Sequence, residues 1–226
     1  MLPLVSAIMP TYNRRRFLRT AIRCFLEQDW PEKELVVIDD GTDKVEDVFR
    51  DVPNCRYFYH LEAGLPAHRP HATIGTKRNL ACEFSHGEVI VHWDDDDWSA
   101  PGRITDQVTR LLESGKAVSG YHSMLFWDER GTASKVLRAG EYSVGSALCY
   151  RRDFWEKKRF LNTSQGEDNS FVDGARSNII SVDAGQFMVA RTHGSNTDAR
   201  SGVGSGCWPK VDTSAIPPAF FEAIRV

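Results

Sequence analysis

Four consecutive carboxylates, Asp94, Asp95, Asp96 and Asp97, follow an apolar run and stand between Trp93 and Trp98. Two like charges about 4 Å apart repel by roughly 4 kcal/mol at an effective dielectric of 20, so such a cluster is costly unless a cation neutralises it. Hard divalent ions, Mg2+ or Mn2+, prefer oxygen ligands and commonly take one or two carboxylates together with phosphate oxygens and water. The chemistry suited to this cluster is therefore metal-bridged binding of a diphosphate. A solvated acidic loop is the alternative, and the flanking tryptophans and the preceding run weigh against it. A calcium-loop pattern starting at Asp94 would need Gly and Glu where Ser99 and Thr105 stand. A phosphatase-type D-x-D-G-T pattern at Asp40-Gly41-Thr42 puts Ile38 in the place of the nucleophilic aspartate, so both alternatives fail.

Secondary structure has to deliver these groups. Over the first 100 residues strand-like and helix-like segments alternate, the pattern of a sheet with helices on its faces. Leu4–Met9 predicts a strand halted by Pro10. From Arg14 the period becomes helical, with Phe17, Leu18, Ala21, Ile22, Phe25 and Leu26 recurring on one face and Arg15 and Arg16 expected on the solvated one. Glu34–Ile38 predicts a second buried strand ending at Asp39-Asp40-Gly41-Thr42. Arg56–Leu61 predicts a third, followed by a Gly-, Pro- and His-rich loop to about Gly75. Thr76 is expected to cap a helix running to Phe84, with Gly87 as its left-handed exit. Strand Glu88–Trp93 then opens onto the aspartates. Beyond Pro101, a helix carrying Ile104, Val108, Leu111 and Leu112 ends at Gly115. The later half is less regular. It shows a strand over Ala117–Trp127, a turn at 128–131, strands near Val144–Tyr150 and Ile179–Arg191, and a polar insertion at Leu161–Ser170. From about Asp198 a tail with Gly202, Gly204, Gly206, Pro217 and Pro218 is expected to be loop.

At 226 residues the chain fits one large domain. With 28 Lys and Arg against 31 Asp and Glu, its net charge of −3 argues against a general nucleic-acid binder. No apolar run approaches the ~18–20 residues of a membrane span, and no leader pattern opens the sequence, so a cytoplasmic chain without a transmembrane segment is expected. Cys24, Cys55, Cys82, Cys149 and Cys207 are scattered and unpaired by spacing, which predicts free thiols, mostly buried.

Taken together, the motifs resemble those of the family-2 inverting glycosyltransferases of the GT-A fold. Pro10-Thr11-Tyr12-Asn13-Arg14 is similar to that family's nucleotide-entry motif, Val37-Ile38-Asp39-Asp40-Gly41-Thr42 to its base-binding motif, and Lys77-Arg78-Asn79 to its R-N motif. Asp94 through Asp97, with Pro101, match its D-x-D-D-x-x-x-P pattern; Gly166-Glu167-Asp168 is similar to its G-E-D segment, and Arg191 through Asn196 to a later His-containing segment. Thr42 departs from the more common Ser, and the chain lacks the large insertions of many relatives.

The resemblance implies an α/β architecture, a mixed and mainly parallel sheet flanked by helices. Residues 1–100 would form the nucleotide-binding half, 101–197 the acceptor-binding and catalytic half, and 198–226 a tail. It implies Mn2+ or Mg2+ held by Asp96 and His193, with Asp94 on ribose or metal. Pro10, Thr11, Tyr12, Arg14, Lys77, Arg78 and Asp95 are assigned to the substrate. Asp40, as acceptor for a uracil imide N–H, would make the donor a UDP-sugar. Asp168 is the implied base, with Glu167 holding the acceptor or orienting Asp168; alternatively, the two acids simply open a helix, where its dipole favours them. The acceptor could be a glycan, a lipid-linked sugar or a protein. Two other functions compete. A nucleotidyltransferase would carry a Gly-rich phosphate loop after the first strand, and Pro10 through Arg15 contain no glycine. A non-catalytic sugar-binding relative would have no need of Asp96, Asp168 and His193 together.

Overall fold

Side chains alternate between two apolar cores along the first strand, β1 (Val5–Thr11): Val5, Ala7 and Met9 enter one core and Ile8 the other. The same split separates Leu35 and Val37 from Val36 and Ile38 on β2 (Lys33–Asp39), and Val89 and Val91 from Ile90 on β4 (Val89–His92). Strands buried on both faces read as continuous apolar runs, which is why these segments stood out. The structure is a computed structural model that describes residues 1–60, 71–138, 140–196 and 208–225.

In chain order, α1 (Arg15–Leu26) follows β1, and α2 (Glu46–Phe49), β3 (Cys55–Tyr59) and α3 (Ile74–Phe84) follow β2. After β4 come β5 (Trp98–Ser99), α4 (Arg103–Ser114), β6 (Val118–Asp128), β7 (Thr132–Leu137), β8 (Cys149–Arg151) and α5 (Arg152–Lys157). The chain continues through α6 (Glu167–Val172), β9 (Ile179–Asp183), β10 (Met188–Thr192), β11 (Lys210–Val211) and α7 (Pro218–Ile224). All the strands belong to one sheet, ordered β11-β7-β6-β8-β4-β1-β2-β3, with β9 and β10 also on β6 and β5 on β10. The run β3-β2-β1-β4 is parallel, so the carboxyl ends of β1, β2 and β4 open on one edge. Helices α1 and α4 cover one face; α3 and α6 cover the other.

Several expectations need correction. Helix α3 is capped by Thr73, whose Oγ1 accepts from Thr76 N at 3.2 Å, so Thr76 lies inside the first turn. Gly87 is not left-handed; α3 leaves through an extended Ser85. Gly87 is small because β1 passes it, and a Cβ there would lie 2.5 Å from Ser6 Oγ. The segment expected as one strand over 179–191 is two, β9 and β10, separated by a turn in which Gly185 takes φ +52°. Of the strand expected near Val144–Tyr150, only Cys149–Arg151 forms; Gly145–Ala147 is a 3-10 turn. The polar insertion runs into α6, opened by a left-handed Gly166. The described part of the tail is not loop: Phe220 of α7 is fully buried, edge-on to Trp127 at 5.4 Å and Trp98 at 6.3 Å. Leu61, Asp198, Gly202, Gly204, Gly206 and Cys207 lie outside the described residues. Cys24, Cys55, Cys82 and Cys149 are free thiols, and burial pushes Cys82 and Cys149 up to about 12. No helix among the described residues is long and apolar enough to cross a membrane.

Candidate active site

The aspartates occupy the turn between β4 and β5, beside the end of β1. Asp95 points back to β1, accepting from Thr11 Oγ1 at 2.7 Å and from Arg14 Nη1 at 2.9 Å. Burial pushes its carboxyl up to about 6; Arg14 opposes the rise and Asp96 adds to it. Asp97 turns inward and accepts the Arg191 backbone N–H at 3.0 Å, which fixes β10 against β5. Burial, with Asp96 and Asp94 adding to it, holds its carboxyl well above the usual range. That attachment delivers the loop after β10 to the aspartates. Asp96 Oδ2 is then met by Arg14 Nη1 at 2.9 Å, His193 Nε2 at 2.9 Å and Asn196 Nδ2 at 3.2 Å. His193 is stacked on Phe17 at 4.2 Å, and Arg14 Nη2 reaches Ser195 O at 2.6 Å.

Tyr12, Asp40 and Lys77 form a second group at the ends of β1 and β2. Lys77 does not face the aspartate cluster: its Nζ donates to Asp40 Oδ1 at 2.8 Å and to Thr11 O at 3.1 Å. Asp40 Oδ2 accepts the Ala72 N–H. A carboxylate offers about four acceptor positions, so Asp40 retains capacity for another donor. Tyr12 stands edge-on to His71 at 5.2 Å. The free N–H groups at the start of α3 are filled by its own chain, since Gly75 N donates to Thr163 O and Ile74 N to Ser164 Oγ. Gly75 permits that crossing, because a Cβ would meet Leu161 O at 1.9 Å.

Between the aspartates and α6 lies a cleft of about 340 Å³, bordered by Pro10, Arg14, Arg78, Asp94, Glu167 and Asp168 among others. Arg78 spans it, with Nη1 2.5 Å from Glu167 Oε1 and Nη2 3.5 Å from Asp94 Oδ1. Burial raises the Glu167 carboxyl while Arg78 pulls it down. Asp168 accepts from its neighbour Asn169 and has no ion-pair partner among the described residues. Both acids do open a helix, so the dipole account and a place in the cleft hold together.

In an octahedral shell with metal–ligand distances of ~2.1 Å, adjacent ligand atoms lie about 3.0 Å apart, and the 2.9 Å between Asp96 Oδ2 and His193 Nε2 fits that spacing. His193 Nδ1 accepts the Ser195 backbone N–H at 3.2 Å and lies 2.9 Å from Ser195 Oγ, which puts the ring proton on Nε2 toward Asp96; a metal bound through Nε2 would take that proton's place, with Nδ1 then protonated toward Ser195 Oγ. Asp94 does not join them; it pairs with Arg78, and no group of three ligating side chains converges among the described residues. The remaining positions would fall to diphosphate and water. Asn196, Gly145 and His92 were not singled out by sequence. Asn196 lies within the His-containing segment, whereas a lone Gly before an apolar run carries no signal.

The family described as Glycosyl transferase family 2 matches residues 6–173. An uncharacterized glycosyltransferase of Haemophilus influenzae is 28% identical over 189 residues, 76% of this chain and 72% of that protein. S. aureus TarS 1-349, solved with UDP-GlcNAc, is similar in fold, with a TM-score of 0.68 at 18% identity, over 88% of this chain and 62% of that one. Glucosyl-3-phosphoglycerate synthase from Mycobacterium tuberculosis, solved with Mn2+, UDP and glucosyl-3-phosphoglycerate, gives a TM-score of 0.62 at 16% identity, over 84% of this chain and 73% of that one. The mixed sheet with helices on both faces is thus the GT-A architecture.

Proposed function

The chain belongs to glycosyl transferase family 2, and on that premise we propose that it transfers a sugar from a nucleotide-sugar to an acceptor hydroxyl in one inverting displacement that depends on a divalent metal. The observation that carries this is the convergence of Arg14, just after β1, and His193, just after β10, on one carboxylate oxygen of Asp96, in the turn after β4, across a cleft from Asp168. The two solved structures named above hold UDP or a UDP-sugar, one with Mn2+, which supports a UDP-sugar donor here. Asp96 and His193 would hold Mn2+ or Mg2+. When bound, the cation supplies neutralisation of charge developing on the departing diphosphate.

The chain's own residues do the rest. Tyr12 packs on the base, while Asp40, buttressed by Lys77, accepts from it. Arg14 and Thr11 hold Asp95 at the donor mouth, with Pro10 shaping its rim. Arg78 holds Glu167 and faces the diphosphate side of the cleft. Asp168 takes the acceptor proton as that oxygen bonds to the anomeric carbon and the bond to diphosphate breaks. The acceptor is the hydroxyl of a glycan or a lipid-linked sugar. Calorimetry with Mn2+ and UDP, alongside UDP release from UDP-sugars, tests both halves. Asp96→Ala should abolish metal-dependent binding, and Asp168→Asn should bind normally but lose transfer. Normal turnover by Asp168→Asn would remove it as the base.

A further inference from the structure

Beneath the cleft, four consecutive carbonyls are each held by a buried donor. Gly145 O accepts from His92 Nδ1 at 2.7 Å, Ser146 O from Arg103 Nη2 at 2.9 Å, Ala147 O from Gln107 Nε2 at 2.6 Å, and Leu148 O from His92 N at 2.8 Å. His92, Arg103 and Gln107 are at most 1% exposed. A carbonyl only accepts, so His92 carries its proton on Nδ1, and Tyr150 OH approaches Nε2 at 3.3 Å.

Arg103 is the unusual member. Its guanidinium meets Ser99 Oγ, Gln107 Oε1, His92 O and Ser146 O, all neutral, and has no carboxylate at ion-pair distance among the described residues. A buried cation without such a partner is expensive compared with apolar packing. Here its hydrogen bonds tie the last residue of β4, the start of α4 and the 145–147 turn into one unit. That turn borders the cleft, and Asp168 rests on it: a Cβ on Gly145 would lie 2.1 Å from Asp168 Oδ2 and 2.8 Å from its Cγ.

We propose that His92, Arg103 and Gln107 form a donor rack that fixes the 145–148 backbone as a seat for Asp168, with Gly145 the point of contact. All four are then positioning residues for transfer, acting through Asp168, and the proposal rests on Asp168 being the base. Gly145 has no left-handed φ, and the three atoms nearest an added Cβ all belong to the Asp168 side chain, its Cβ at 3.0 Å included, so Gly145→Ala displaces the carboxylate with at most a small shift of the start of α6.

The test is Mn2+-dependent UDP release from UDP-N-acetylglucosamine and UDP-glucose, with UDP binding measured separately. Gly145→Ala should bind UDP within about twofold of wild type while kcat falls about 100-fold, the scale expected of a displacement near 1 Å. In an Asp168→Asn background the same change should cost less than about twofold, because residues acting as a unit are non-additive. Gln107→Leu, which leaves Ala147 O unpaired, should lower kcat about tenfold with KM unchanged, and serves if Arg103→Met does not fold. A crystal structure of Gly145→Ala supplies a check independent of turnover, and should show the Asp168 carboxylate moved. An unmoved carboxylate, wild-type kcat in Gly145→Ala, or an equal loss in the Asp168→Asn background would overturn the seat. Full activity of Asp168→Asn alone would instead overturn the base assignment on which it rests.

Discussion

The two walls of the cleft hold their carboxylates in opposite ways. On the aspartate wall three carboxylates are held by donors: Asp95 by Thr11 and Arg14, Asp96 by Arg14, His193 and Asn196, and Asp97 by a backbone N–H. Across the cleft Glu167 is tied to Arg78, whereas among the described residues Asp168 takes hydrogen bonds from its neighbour Asn169 alone and rests on a bare glycine. The aspartates of the first wall are met by several donors each or by backbone, whereas Asp168, the base of the proposed transfer, has one neighbouring donor residue and no ion-pair partner among the described residues. Stability and binding should therefore live on the first wall and turnover on the second.

The largest effect should separate them most clearly. Asp168→Asn should reduce transfer by about 10²–10⁴-fold, the range for losing a general base, while its thermal midpoint stays in place. Arg14→Met should instead lower the thermal midpoint and weaken UDP binding, since it leaves Asp95, 1% exposed, without its cation and removes a donor from Asp96. Breaking a buried pair in this way costs about 3–5 kcal/mol in denaturant unfolding, and Mn2+ with UDP should restore part of it by supplying another cation. A smaller effect concerns pH. Burial, assisted by Arg78, holds His92 well below its usual 6.5, so below that pH the unfolded chain binds more protons than the folded one. The stability it contributes is complete above pH 6.5 and drains away as pH falls. His92→Asn, which keeps a donor toward Gly145 O, should flatten the slope of unfolding free energy against pH between pH 7 and 5, measured by denaturant unfolding, by up to about 1.4 kcal/mol per pH unit. Arg15→Ala should change transfer least, less than about twofold, because Arg15 pairs with Asp43 and Asp47 on exposed surface away from both walls.

How much of this was legible in the sequence follows from how far apart the partners are. Strands β1, β2 and β4 are buried on both faces, so each announces itself as an apolar run, and the chemistry sits in the few residues after each run. Arg14, Asp40 and Asp96 could be placed that way. Strand β5 is two residues long and exists because β10, from far along the chain, pairs with it. Helix α7 opens at two prolines that look like a loop, and forms because Phe220 finds Trp98 and Trp127. Lys77 is expected beside Arg78 on the substrate; one helical step turns it instead onto Asp40. Gly145 had no local signature, since its role appears only once α6 has folded over it.

Anomalous diffraction at the manganese edge, from crystals soaked with MnCl2 and UDP, tests the central claim most directly. A single peak within about 2.1 Å of both Asp96 Oδ2 and His193 Nε2, with a diphosphate completing its shell, is the predicted result. Bound UDP with no peak there, or a peak at Asp94 with His193 still hydrogen-bonded to Asp96, would contradict it.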